Sequence, residues 1–320
     1  MIRILMLVAL LLPVKDLYCW GFFGHKRINE YAIYLLPPEM LVLFKPRLEY
    51  IREHAVDADK RRYILKAEAP RHYIDLDKYG AWPFNDLPRK WEEAVAKYSE
   101  DSLQAHGILP WRILQLTSSL TKAFRNAETD KILRIAADLG HYIGDAHVPL
   151  HTSSNHNGQF TNQHGIHAFW ESRLPELLAD NEWDLFTGKA IYIDKPAEYI
   201  WRSILESAAA VDSVLMMEAE LSAAISADKK YAWEWRNQVV IRQYSTFYSR
   251  RYDAVLRGMV ERRMRQAIHA VASIWYTAWV NAGQPDLKKL NKLITPGMYP
   301  AVDSLEQQWR HQTIKGKSCD

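Results

Sequence analysis

The chain has 320 residues, with 41 lysines and arginines against 38 aspartates and glutamates, a formal net charge of +3 and only two cysteines. That near-balance excludes a protein that grips nucleic acid by bulk electrostatics alone, so a polyanion would have to be bound locally in a site. The cysteines stand at 19 and 319, so a chain starting at residue 20 has no internal disulfide, and about 300 residues suffice to bury one large core without staples.

At the N-terminus Met1-Ile2-Arg3 supplies a positive charge, and Ile4 to Val14 is a nearly unbroken apolar run too short to span a bilayer. A buried helix would show polar positions near every 3.6 residues, and none occurs before Lys15. Residues 1–19 are therefore expected to be a signal peptide, with cleavage between Cys19 and Trp20 and a secreted or periplasmic product. A lipoprotein anchor fits less well, because Tyr18 stands where a small residue belongs. Losing Arg3, Lys15 and Asp16 leaves a mature charge of about +2. No second stretch is long and apolar enough to cross a membrane, and no obligate protein partner is evident.

The remainder reads as all-α: one multi-helix domain over 20–283, followed by a loosely packed tail over 284–320. Helical patterns lie near 27–36, 87–104, 110–126, 129–147, 167–180, 198–225 and 230–281, with no convincing strand pair. Pro110 opens one helix, Thr129 is an N-cap candidate, and Pro149 closes the helix that begins there. Leu65 to Pro83 and Thr152 to Gly165 look irregular, and both adjoin histidines.

Six of the 12 histidines fall between His141 and His167. On a helix His141 and Asp145 project from one face, about 6 Å apart, and both can reach one cation. Pro149 turns His151 back toward them, adding a ligand from another backbone direction. His167 and Glu171 repeat the four-residue spacing. A single such pair is commonly a surface salt bridge, but Leu139, Tyr142, Ile143 and Ala146 bracket the first pair. Burying it without a metal or partner would cost several kcal/mol. Upstream, His72 lies in Pro70-Arg71-His72-Tyr73-Ile74-Asp75, with Asp57 and Asp59 before it, and His25 follows Trp20 by five residues.

This ordered set resembles the superfamily joining bacterial zinc-dependent phospholipase C to the secreted single-strand-specific zinc nucleases. Its members share an N-terminal Trp, an early His, an Asp, a His followed by an aromatic, a His-x3-Asp-x5-His block and a final His-x3-Asp or His-x3-Glu. The resemblance spans Trp20 to Glu171 and implies a zinc cluster in a cleft between helices. Asp59, His72, His141 and Asp145 would bind one ion, His151, His167 and Glu171 another, and Trp20, His25 and Asp145 a third, with Asp145 as a bridge. Asp59 is favoured over Asp57, and His167 over His164, while His147 and His156 read as supporting or solvent-facing.

The implied activity is phosphodiester hydrolysis by a metal-activated water, with Asp59 orienting or deprotonating it and Arg71 offsetting the growing charge. Tyr73 could stack a base or pack in the core, and Trp82, Trp170 and Trp201 could line a lipid pocket or the core. The spacing from Trp20 to His25, the Pro-x-His-aromatic-Ile-Asp stretch and Pro149-Leu150-His151 look nuclease-like. Glu171 and the lack of internal cysteines look phospholipase-like, so phospholipid and single-stranded nucleic acid both stay open as substrate. The alternative from another class is a secreted binding module whose zinc is purely structural. Arg250, Arg251, Arg257, Arg262, Arg263 and Arg265 read as a solvated face behind a core stripe.

Overall fold

The structure, a computed structural model, describes residues 21–291 except 237 and 238. The expected signal peptide, Trp20 and most of the expected tail lie outside the described residues.

Helices α1 (Gly21–Tyr34), α2 (Pro38–Phe44), α3 (Leu48–Glu53) and α4 (Asp57–Arg61) lead through a 3-10 turn at Lys66–His72 to α5 (Trp91–Tyr98), α6 (Glu100–His106), α7 (Leu109–Arg125) and α8 (Thr129–Asp145). A 3-10 turn at Pro149–Thr152 precedes α9 (Ile166–Ala168), which continues through a π-helical segment, Phe169–Arg173, into α10 (Leu174–Glu182). Then come α11 (Pro196–Ala224), α12 (Ala227–Lys230), strands β1 (Tyr231–Arg236) and β2 (Val239–Tyr244), and helices α13 (Thr246–Leu256), α14 (Met259–Asn281) and α15 (Leu287–Asn291). Among the described residues the fold is all-α apart from that one hairpin.

Apolar spacing explains the central layer. In α7, Leu109, Ile113, Leu116, Leu120 and Phe124 are buried along one face, with Pro110 in the first turn. In α8 the buried face starts with Ile132, Leu133, Ala136 and Ala137, and from Leu139 to Asp145 every residue is buried. The two helices pack together, and α14 lies against α1, α7 and α8. Trp275 on α14 ties this layer by donating its indole N–H to the Ala136 carbonyl at 3.1 Å.

Several boundaries differ from those expected. The 87–104 pattern divides at Ser99, whose backbone is at φ 67° and whose hydroxyl accepts from the Ser102 amide to start α6. Thr129 is the first helical residue of α8 and does not cap it; the preceding Glu128 makes no side-chain cap bond. The 230–281 pattern is not one helix, and the expectation of no strand pair is overturned. Tyr231, Trp233 and Trp235 alternate along β1, opposite Tyr244, Arg242 and Val240 of β2. Arg257 and Gly258, both left-handed, then separate α13 from α14. The expected tail begins packed, since Leu287 and Leu290 are buried and α15 contacts α2.

Candidate metal centre

The centre lies where α1 crosses α8, and two glycines permit the approach. A Cβ at Gly140 would sit 1.9 Å from Asn29 Oδ1, and one at Gly144 would sit 3.1 Å from His25 Nδ1. Asn29 is buried and donates to the carbonyls of Ala137 at 3.1 Å and Ile51 at 3.4 Å. These contacts lay His25 flat on His141, with ring centroids 3.8 Å apart.

Both oxygens of Asp145 are enclosed by imidazole nitrogens. Its Oδ1 lies 3.3 Å from His25 Nε2 and 3.7 Å from His151 Nε2. Its Oδ2 lies 3.1 Å from His72 Nδ1 and 3.3 Å from His141 Nε2. Asp59 Oδ1 stands 3.7 Å from both His72 Nδ1 and His141 Nε2, which are 3.0 Å apart. A zinc ion held tetrahedrally at about 2.0–2.2 Å sets neighbouring ligand atoms about 3.3–3.6 Å apart, so these separations suit one ion between them. Next to this group, His167 Nε2 is 3.1 Å from Glu171 Oε1, and His151 Nε2 is 3.4 Å from Glu171 Oε2 and 3.3 Å from His167 Nε2.

Backbone carbonyls orient three of the rings. Nδ1–H donates to Ala55 O at 2.8 Å from His141, to His72 O at 2.6 Å from His151, and to His156 O at 3.1 Å from His167. Since a carbonyl only accepts, each Nε2 is left to turn its lone pair inward, as a metal-binding histidine requires.

Burial pushes both His25 and His72 down to about 3, outweighing Asp145. Both are neutral at pH 7, the form that binds metals. Burial raises Asp59 to about 6 against the pull of His141 and Arg62. At His141 burial is overcome by Asp145 and Asp59, and its pKa rises to about 9, so an ion entering the centre has to displace the Nε2 proton before the lone pair is free to bind it. Asp145 is held well below the usual carboxylate range, because His141 and His151 outweigh its burial.

The donor set fits metal ions. Among the described residues both oxygens of Asp59, Oδ1 of Asp145 and both nitrogens of His25 are buried without a hydrogen-bond partner. Each such orphan costs about 1–3 kcal/mol, more when charged, and a cation answers them together. Three buried groups could hold an ion: His25, His141 and Asp145; Asp59, His72 and His141; His151, His167 and Glu171.

Of the alternatives read from the sequence, Asp59 and not Asp57 enters the centre; Asp57 instead accepts from His54 at 2.5 Å. His164 is exposed, whereas His167 is buried in its group. His147 is buried outside the groups, donating from Nδ1 to Ile143 O at 2.7 Å. Tyr73 is only 8% exposed, with its hydroxyl donating to Ala105 O, so little of its ring is left for a base. Trp170 and Trp201 are core residues, and Trp82 is exposed. Arg71 is engaged by Glu68, Nη1 to Oε2 at 2.6 Å.

Two neighbours escaped the sequence reading. Arg62 is buried with Nη1 3.8 Å from Asp59 Oδ1. Glu68 Oε1 lies 3.9 Å from His72 Nε2 and accepts the hydroxyl of Tyr142. Only the i,i+3 spacing of Asp59 and Arg62, and the i,i+4 spacing of Glu68 and His72, could have flagged them.

No curated protein matches the chain. The family model described as S1/P1 Nuclease matches residues 20–275, from the residue just ahead of α1 into α14. With most of its length matched and the ordered His, Asp and Glu set gathered in one buried centre, this chain belongs to the S1/P1 nuclease family.

Proposed function

We propose that this protein is an exported, zinc-dependent nuclease that hydrolyses single-stranded nucleic acid. The observation that carries the reading is Asp145, whose two oxygens face four imidazole nitrogens drawn from α1, α8 and two 3-10 turns. Such a carboxylate is placed to be shared between cations. The family match to nucleases supports nucleic acid over phospholipid.

Asp59, His72, His141 and Asp145 would hold one ion, and His151, His167 and Glu171 a second. His25 and Asp145 would hold a third together with the amine of Trp20, freed by removal of residues 1–19. When bound, zinc lowers the pKa of water and neutralises charge on the phosphate. Asp59, with no hydrogen bond competing for its oxygens among the described residues, orients the attacking water and takes its proton. Arg62, buried beside Asp59, offsets charge on the phosphate. The carbonyls of Ala55, His72 and His156 keep three imidazoles in one tautomer throughout.

The test sets purified protein of measured zinc content on single-stranded DNA, RNA, phosphatidylcholine and a chromogenic phosphodiester side by side. Cleavage of the nucleic acids is expected, with phosphatidylcholine slower by about a hundredfold or more, a gap that loss of site-specific polar contacts commonly produces. The reverse order overturns the substrate. A full zinc complement with no turnover on any of the four would leave only a structural role.

A further inference from the structure

We propose that one face of the β1–β2 hairpin, bearing Trp233, Trp235 and Arg242, is a stacking platform for single-stranded nucleic acid leading away from the metal centre. The proposal rests on the nuclease reading above. Register sets Trp233 opposite Arg242 and Trp235 opposite Val240, so these four share a face with Tyr231 and Tyr244 at its foot. Trp233 is 72% exposed and Trp235 78%, the two most exposed large apolar side chains among the described residues. A lone two-stranded hairpin is marginally stable in water, and two bare indoles on it gain nothing from folding.

The foot, by contrast, is tied to the centre. Arg173, two residues beyond Glu171, donates from Nε to the Tyr244 carbonyl at 3.1 Å and from Nη2 to Glu234 at 2.9 Å. Phe169, two residues before Glu171, stacks on Tyr244 with centroids 3.7 Å apart. The segment that carries Glu171 therefore also fixes the base of the tryptophan face.

Chemistry on that face suits a nucleotide chain. Residues two apart on a strand are separated by about 6.4–6.8 Å, roughly twice the rise between stacked bases, so one base fits between the levels of Trp233 and Trp235. Arg242 lies over the Tyr231 ring with its Cζ 3.7 Å from the centroid, and it forms no ion pair with a carboxylate among the described residues. A guanidinium held over an aromatic ring beside two indoles can meet a phosphate while the indoles meet bases.

The test compares Trp233→Ala/Trp235→Ala, Trp233→Phe/Trp235→Phe and the natural protein on a dinucleotide and on an oligothymidylate of about a dozen nucleotides. For the alanine pair, KM on the oligomer should rise about tenfold or more, the loss expected when stacking is removed. Its kcat, and both constants on the dinucleotide, should stay within about twofold, and the phenylalanine pair should keep most of the oligomer affinity. An unchanged oligomer KM overturns the platform, as does an equal fall on both substrates. So does loss of binding to phosphatidylcholine–phosphatidylglycerol vesicles with the oligomer KM intact, which would make the face a membrane anchor. If the natural protein cuts the dinucleotide and the alanine pair matches it on the oligomer, only the platform falls. If the natural protein cuts neither substrate, the nuclease reading falls and takes the platform with it.

Discussion

His141 and Asp145 stand on a regular α-helix, whereas His167 and Glu171, at the same spacing, straddle a change from α9 into a π-helical segment. The reason for that change sits one turn on. Pro175 has no N–H to give the Glu171 carbonyl, and its ring crowds that carbonyl, so the turn widens. Across the tight turn the short aspartate reaches its histidine at 3.3 Å; across the wide one the longer glutamate reaches at 3.1 Å. Side-chain length and backbone pitch compensate each other. The pairs also differ in company: Asp145 faces nitrogens of four histidines and Glu171 those of two.

The largest expected effect comes from the difference in sharing. Asp145→Ala should remove two ions and lower kcat/KM by about 10³-fold or more, since it strips electrostatic stabilisation from the reacting phosphate. Glu171→Ala should remove one ion. Equal losses of zinc from the two variants would break the comparison.

Next is the carboxylate beside the shared pair. Asp59→Asn keeps the shape, and kcat should fall about a hundredfold with the ion at His151, His167 and Glu171 retained. Asp57→Asn, which only frees His54 and Lys60, should stay within a fewfold; interchanged effects would move the base to Asp57.

One extra residue ahead of Trp20 should cost a single ion from the Asp145 side and most of the activity. Unchanged zinc and rate would show that the terminus takes no part.

The smallest effect sharpens the pitch argument. Glu171→Asp should weaken one ion about tenfold to a hundredfold, as misplaced ligands do. In a Pro175→Ala background, where the turn can close toward α geometry, the same substitution should cost less. A double-mutant cycle on zinc affinity reads the coupling, and strict additivity would separate the proline from the ligand.

The regular half of this comparison was legible in the sequence because the i,i+4 rule holds on a straight helix and the apolar bracket around His141 and Asp145 marked it as buried. The ordered motif led from there to the remaining histidines. The π segment was not legible, because its cause, Pro175, lies beyond the pair it displaces. The hairpin was missed for a different reason. Its alternation of Tyr231, Trp233 and Trp235 points mostly at solvent, and Asn237-Gln238 is not a strong turn signal, so the stretch passed for part of a long helix. Arg62 and Glu68 carry only a weak local signal, their i,i+3 and i,i+4 spacing to Asp59 and His72; that they face the centre follows from α4 and the turn at His72 meeting α8, which local spacing does not encode.

The bare flank of α8 at Gly140 and Gly144 makes the cluster hard to transplant. Residues 141–171 are contiguous and hold three of the five histidines at the centre, yet a peptide of that stretch would lack the wall that α1 supplies. Asn29 and Ala137, which meet at this crossing, are 108 residues apart in sequence. Contacts of that range close late in folding, since the loop entropy is spent before the contact repays it. A methyl at position 140, touching no ligand, would push the buried Asn29 amide off the carbonyls of Ala137 and Ile51 and so disturb the wall that carries His25. In a directed-evolution library such a change would register as a lost metal although every ligand codon was intact.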